Sequence, residues 1–218
     1  MRLLAGLVAL CAAAPLSALL SAPLAAQGNQ VKLEIALPPA AQLGTDGPAI
    51  ATANLLADDK TRQLLRSGFP ARIHYRLELW HQRRWIDDPE GRTEWDMLVS
   101  YDPTVQRYTV VRTHDNELEN FGGFATVTSA DVRCGVPYRP GLHPRKSGKY
   151  YYNLIVDVQT LTESDLDALQ QWWLHGPSAP GKSNPVTTIR SGLGVLLSRV
   201  LGGDKRHYEQ RTGVFTVR

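Results

Sequence analysis

Between residues 70 and 113 apolar and polar side chains alternate in three successive runs, and no other feature of the sequence limits the fold as strongly. Successive side chains of a strand point to opposite faces, so a period of two predicts half-buried strands. In residues 70–80, Ile73, Tyr75, Leu77 and Leu79 share one face, and His74, Arg76, Glu78 and Trp80 share the other. In residues 93–102, Trp95, Met97, Val99 and Tyr101 oppose Glu94, Asp96, Leu98 and Ser100. Residues 106–113 repeat the pattern with Tyr108 and Val110. Asp87-Asp88-Pro89-Glu90-Gly91 and Asp102-Pro103-Thr104 carry turn chemistry: Pro presets φ, Asp bonds the turn backbone and Gly accepts a positive φ. The spacing therefore predicts an antiparallel meander. Its register is set because a one-residue slip would turn Tyr75 and Leu77 out to water.

The rest of the chain adds elements around that meander. Residues 31–37 alternate and predict an opening strand, stopped by Pro38-Pro39, while residues 40–52 show no period and are read as a loop. Residues 58–68 predict a short helix with acidic residues at its start and Arg66 and Gly68 at its end, with Leu55, Leu56, Leu64 and Leu65 toward the sheet. Residues 114–120 are a polar connection, residues 121–127 a strand with a glycine bulge, and Ser129 caps a turn ending at Cys134. After a basic, Pro- and Gly-containing loop at 135–148, residues 149–158 form a strong strand with Tyr152, Leu154, Val156 and Val158 as its core face. Thr162 and Asp165 stand as a capping-box variant ahead of the stripe Leu166, Leu169 and Trp173, and residues 186–201 form a second amphipathic helix. Residues 213–217 make a last strand. These elements predict a mainly β fold: an antiparallel, immunoglobulin-like β-sandwich with two or three added helices. The alternative is an α+β arrangement, an antiparallel sheet with helices on one face.

Residues 1–26 have the order of a secretory signal peptide: Arg2, an apolar run rich in Leu and Ala, then Ala25-Ala26. The predicted product is exported, periplasmic or extracellular. It forms one sandwich domain over 27–218, with 177–211 as a helical C-terminal appendage. The whole chain carries a formal net charge of +3, and the leader removes one of those positive charges. So even a balance supplies no field of the kind nucleic-acid binding requires. Of the 2 cysteines, Cys11 lies in the leader, which leaves Cys134 without an intrachain disulfide partner.

No catalytic set stands out. His74 and His81 are an odd number of positions apart, so a regular strand sends them to opposite faces, away from any shared metal. Ser100 and Ser129 lack the Gly-x-Ser-x-Gly setting of a nucleophile elbow. Glu94 and Asp96 share a strand face, as paired carboxylates do in sugar hydrolases, and His114 opens a polar loop; these are the residues a hydrolase reading would use. The aromatic runs are the remaining signal. Core packing accounts for alternate members of Tyr150-Tyr151-Tyr152 and Trp172-Trp173 and leaves the others to stack on a sugar or anchor a partner.

Leu64-Leu65-Arg66-Ser67-Gly68-Phe69-Pro70, Leu98-Val99-Ser100-Tyr101-Asp102 with Gln106-Arg107-Tyr108-Thr109-Val110, and the tyrosine strand leading to Leu161 through Trp172 form a group. Together they resemble the exported proteobacterial proteins grouped as a domain of unknown function. The resemblance covers about residues 55–175 and departs in the 135–148 loop and after residue 177. That family has no assigned catalytic residues, so none transfers. The resulting expectation is a non-enzymatic extracytoplasmic binding or scaffold module without metal or cofactor. It contacts an envelope protein or glycan through Tyr150, Tyr151, Tyr152, Trp172 and Trp173. The alternatives are an envelope glycan or peptide hydrolase, and a membrane-surface protein using the 186–201 helix.

Overall fold

A computed structural model of the protein describes residues 30–115, 117–160 and 205–218. The leader expected at 1–26 and the helices expected from Thr162, with Trp172 and Trp173, and over 186–201 lie outside the described residues. The described chain is mainly β and antiparallel, with helices added, as the alternation requires. Strand β1 (Lys32–Ala36) pairs with β2 (Ala49–Ala53). Helix α1 (Asp59–Arg66) follows, then β3 (Ala71–His81), β4 (Asp88–Asp102), β5 (Arg107–His114) and β6 (Glu117–Phe124). Helix α2 (Val127–Cys134) leads to β7 (Gly148–Thr160), β8 (Lys205–Arg211) and β9 (Phe215–Val217).

Seven strands form one sheet in the order β6-β5-β4-β3-β7-β8, with β9 pairing the start of β7. β3 is central, and its alternation carries the core. Tyr75 lies between Trp95 and Val156, and Leu77 lies beside Leu154. All five are buried, and the rings of Tyr75 and Trp95 stack at 4.9 Å. The β1–β2 hairpin, α1 and α2 cover this face; Ile50, Leu55, Leu56, Leu65, Val127 and Ala130 join the sheet side chains in one cluster. Seven strands in one sheet and two in the other do not make the near-equal halves of an immunoglobulin domain, so that finer topology is not confirmed.

Several boundaries differ from expectation. Residues 49–53, read as loop, are β2: Ala and Thr alternate around Ile50 with too little hydrophobic contrast to register as a strand. Pro89 and Gly91 do not turn the chain. They lie within β4 at a register shift opposite Leu79 and Trp80, and the turn lies earlier, at residues 82–87. This stretch of β4 is beyond the part paired with β5, so the missing Pro N–H breaks no ladder there. The bulge expected in residues 121–127 is present: β6 shifts register opposite Thr109–Val111, with Gly122 at φ +83°. β6 begins at Glu117, inside the expected polar connection. The cap of α2 is Thr126, which accepts from the Ser129 N–H, while Ser129 Oγ accepts from the Thr126 N–H. Lys205–Arg211, assigned to a helical appendage, is strand β8.

Candidate functional site

A cleft among the described residues grows out of β5. Tyr108 and Val110 are buried on its inner face, and the same period carries Arg112 and His114 to that face, opposite Met97 and Trp95 of β4. A cation and an imidazole thus occupy positions where the core pattern calls for apolar side chains. The chain beyond α2 closes over them. Ile50 and Tyr138 exchange backbone hydrogen bonds, Ile50 N–H to Tyr138 O at 2.8 Å and Tyr138 N–H to Ile50 O at 2.9 Å. That bridge docks Tyr138 against the sheet.

The result is a cleft of about 470 Å³ whose lining includes Trp95, Met97, Phe121 and Tyr138 together with Arg112, Arg133 and Arg139. The size suits a small ligand, since such sites run to several hundred Å³. The Arg112 guanidinium lies 3.8 Å from the centre of the Tyr138 ring and 5.3 Å from that of Phe121. Arg133, on the last turn of α2, lies 3.7 Å from the centre of the Phe121 ring. Stacking of this kind holds a guanidinium plane in place while leaving its edge N–H groups available to an acceptor. Arg139 donates to Gly47 O at 3.1 Å, which ties the rim to the loop before β2. Among the described residues the lining contains no carboxylate. Glu119 accepts from Arg112 from the β6 side. Burial raises the pKa of the Tyr138 hydroxyl; Arg112 opposes that rise, and Asp115, Glu119 and Glu117 add to it.

His114 is fully engaged. Its Nδ1 lies 2.7 Å from the Tyr138 hydroxyl and its Nε2 3.0 Å from Thr93 Oγ1. A neutral imidazole satisfies both contacts, one nitrogen donating and the other accepting. Cys134 also lines the cleft. Burial pushes its thiol up, the Asp131 charge adds to this, and Arg133 only partly opposes it. A thiol held neutral is a poor nucleophile. The cleft is therefore equipped to hold an anion on an apolar body.

A second polar arrangement crosses the opposite face of the sheet. Asp96 of β4, His74 of β3, Asp157 of β7 and His207 of β8 are cross-strand neighbours in one row. Asp96 accepts from Arg72 Nε at 2.8 Å and lies 3.0 Å from His74 Nδ1. Asp157 lies 2.8 Å from His207 Nδ1 and 3.2 Å from Lys205 Nζ. Among the described residues no hydroxyl or thiol bonds to either imidazole in this row.

The row does make stability depend on pH. Burial alone would raise the Asp96 pKa, but the His74 hydrogen bond and the Arg72 charge outweigh it and hold it below the usual 3.8. Asp157 behaves alike, with burial opposed by His207 and Lys205. Depressed folded values mean that this stabilisation is complete above the unfolded value and is lost as pH falls through the folded ones. Asp131 has the opposite sign: burial raises its pKa despite backbone hydrogen bonds, so its contribution is lost as pH rises above 3.8. Denaturant titrations at successive pH values should show stability falling below about pH 4. Asp96→Asn with Asp157→Asn should flatten that limb, and Asp131→Asn should flatten the slope above it. An unchanged acid limb in the double variant would contradict the assignment.

The residues singled out in the sequence fare differently. Tyr150, Tyr151 and Tyr152 are 0%, 6% and 1% exposed, so none offers the open aromatic surface expected of it. Tyr150 and Tyr152 pack with Phe215 on the core side. Tyr151, on the other face, donates its hydroxyl to Asp87 at 3.0 Å and lies under Arg211, whose guanidinium is 3.3 Å from the ring centre. Arg211 belongs to β8, a strand not foreseen, and the Trp80 ring of β3 stacks against Tyr151 as well. Glu94 and Asp96 share a face as expected, but Asp96 is engaged by Arg72 and His74, while Glu94 stands 3.8 Å from Arg92. Arg112, Arg133 and Tyr138 were missed. The available signal was Arg112 and His114 continuing the inner-face period of Tyr108 and Val110. Set against known proteins, the chain matches no family model, no curated protein and no solved structure, so no residue role comes to this cleft from elsewhere.

Proposed function

We propose that the protein is a non-enzymatic binding module whose cleft takes a ligand with an anionic group, a carboxylate or phosphate, on an apolar or aromatic body. The observation that carries the reading is a cavity whose described lining holds three arginines, two of them stacked on aromatic rings, and no carboxylate; Glu119 pairs with one Arg112 nitrogen from outside that lining. Pre-stacked guanidinium groups lose little freedom on binding and present paired N–H donors to an oxyanion. Trp95 and Met97 receive the apolar part. The leader sequence places the module outside the cytoplasm in this proposal, and the ligand among the components of the cell envelope.

Calorimetric titration with phenylacetate, and with phenethylamine as its cationic counterpart, tests the reading. Phenylacetate should bind and phenethylamine should not. Arg112→Ala should weaken phenylacetate by roughly tenfold or more, the loss expected for a charge-assisted hydrogen bond of about 1.5–3 kcal/mol. Arg112→Lys should recover only part of it, because an ammonium keeps the charge but loses the planar fork. Equal binding of both probes, or Arg112→Ala binding as well as the wild type, would overturn the proposal.

A further inference from the structure

Independently of the cleft, the β3–β4 hairpin ends in a feature that neither the core nor the cleft explains. Trp85 and Ile86 are adjacent at its apex and are 87% and 77% exposed, the two most exposed large apolar side chains among the described residues. A loop free to bury them against its own sheet gains by doing so. Here the loop is fixed so that they stand clear. Asp87 Oδ1 accepts from the Arg83 N–H at 3.1 Å, and Asp87 Oδ2 accepts from the Tyr151 hydroxyl. Arg83 pairs with Asp88, and the Trp80 and Tyr151 rings stack at the base. The strand below is held by the register shift opposite Pro89.

The surroundings are basic. Arg84 lies over the Trp85 ring, 5.6 Å from its centre. Gln82 N–H donates to Lys149 O at 2.7 Å, which joins the hairpin to the start of β7 and to the loop before it; Lys149, and Arg145 and Lys146 of that loop, are all exposed. Tyr150 marks the junction: its hydroxyl donates to Lys146 O, and burial, with the Glu90 charge, raises its pKa against the opposing charge of Arg83. Among these residues the acids are Asp87 and Asp88, both held in the contacts above, and Glu90.

We propose that this end of the sheet docks on an anionic lipid bilayer, with Trp85 and Ile86 entering the interface and the Arg and Lys side chains meeting the headgroups. Trp favours the headgroup level, where an apolar ring with one polar N–H fits. Basic side chains beside it gain from anionic headgroups and lose that gain in salt. Two projecting side chains are a small fraction of the roughly 800 Å² per partner of a standard protein interface. A bilayer, by contrast, returns free energy for each apolar group inserted.

The full chain is mixed with vesicles of phosphatidylglycerol and acyl-brominated phosphatidylcholine, and tryptophan quenching is compared between wild type and Trp85→Phe. Residues 1–26 are common to both chains, so their own affinity for lipid cancels in the difference. The wild type should show a quenched component that Trp85→Phe lacks. That component should shrink when phosphatidylglycerol is omitted or salt is raised. Ile86→Ser should reduce the apparent vesicle affinity of that component by several-fold. Equal quenching in wild type and Trp85→Phe, quenching indifferent to phosphatidylglycerol, or Trp85 remaining open to iodide on the vesicles would each overturn the proposal. So would protection of Trp85 by a protein partner without lipid.

Discussion

Gly135→Ala is expected to destabilise the protein by roughly 3 kcal/mol, at the upper end of what overpacking costs. Gly135 ends α2 at φ −89°, a conformation any residue adopts, so space rather than backbone freedom requires glycine here. A β-carbon there would lie 1.9 Å from the Thr52 carbonyl oxygen and 2.9 Å from its carbon. Both are backbone atoms of β2, so no side-chain rotation relieves the clash. The close approach is itself a bond, since Thr52 N–H donates to Gly135 O at 3.3 Å. Moving β2 away would also break the contact of Thr52 Oγ1 with the Tyr75 hydroxyl at the centre of the core. Ala49 and Val136, one before and one after this junction, line the cleft, so anion binding should fall with stability. Urea denaturation and phenylacetate titration on the same variant would show both losses. An unshifted midpoint would mean that β2 docks differently from this description.

Asp131→Ala should cost a similar amount, about 3 kcal/mol, for a different reason. Its buried carboxylate accepts the Leu56 N–H at 3.2 Å, and the Leu55 and Asn54 N–H groups are directed at it as well. These donors lie in the turn between β2 and α1, where Asn54 takes a left-handed φ of 64°. Alanine would leave the buried Leu56 N–H without its acceptor and take the carboxylate away from the Leu55 and Asn54 N–H groups, at about 1–3 kcal/mol for a buried donor left unpaired. Asparagine keeps one oxygen acceptor and should fall between wild type and alanine in a denaturant melt. If alanine and asparagine proved equally stable, the turn would not depend on this side chain.

What the sequence made legible was the inner face of the long strands. Ile73, Tyr75, Leu77, Leu79, Trp95, Met97, Val99, Tyr108 and Val110 are all buried, because a period of two is a local property that needs no knowledge of neighbours. The turns were less readable. Asp-Pro-Glu-Gly has turn chemistry, but a β-bulge uses the same residues, and only the pairing of Trp80 with Pro89 separates them. The cleft was the least readable part. It exists because Tyr138 bonds to Ile50, a contact far apart in sequence with no local mark at either end. The tyrosine run misled for the same reason. Alternation assigns Tyr151 to the outer face, yet that face is not bare, since Ile155, Gln159 and Arg72 there are also buried. Helix α1 was legible because its signals are local: Asp58 caps it by accepting the Thr61 N–H at 2.9 Å.

The pairing of β7 with β8 has a consequence for how such a chain can vary. β7 ends at Thr160 and β8 begins at Lys205, which is the register partner of Gln159. These two strand ends are thus neighbours, so their pairing prescribes no length for residues 161–204. Closing a loop between neighbouring points grows costlier only logarithmically, by about 0.6 kcal/mol per doubling. Relatives sharing this sheet are free to carry anything from a tight reversal to a whole added module at that point while keeping every rung of the ladder beside it.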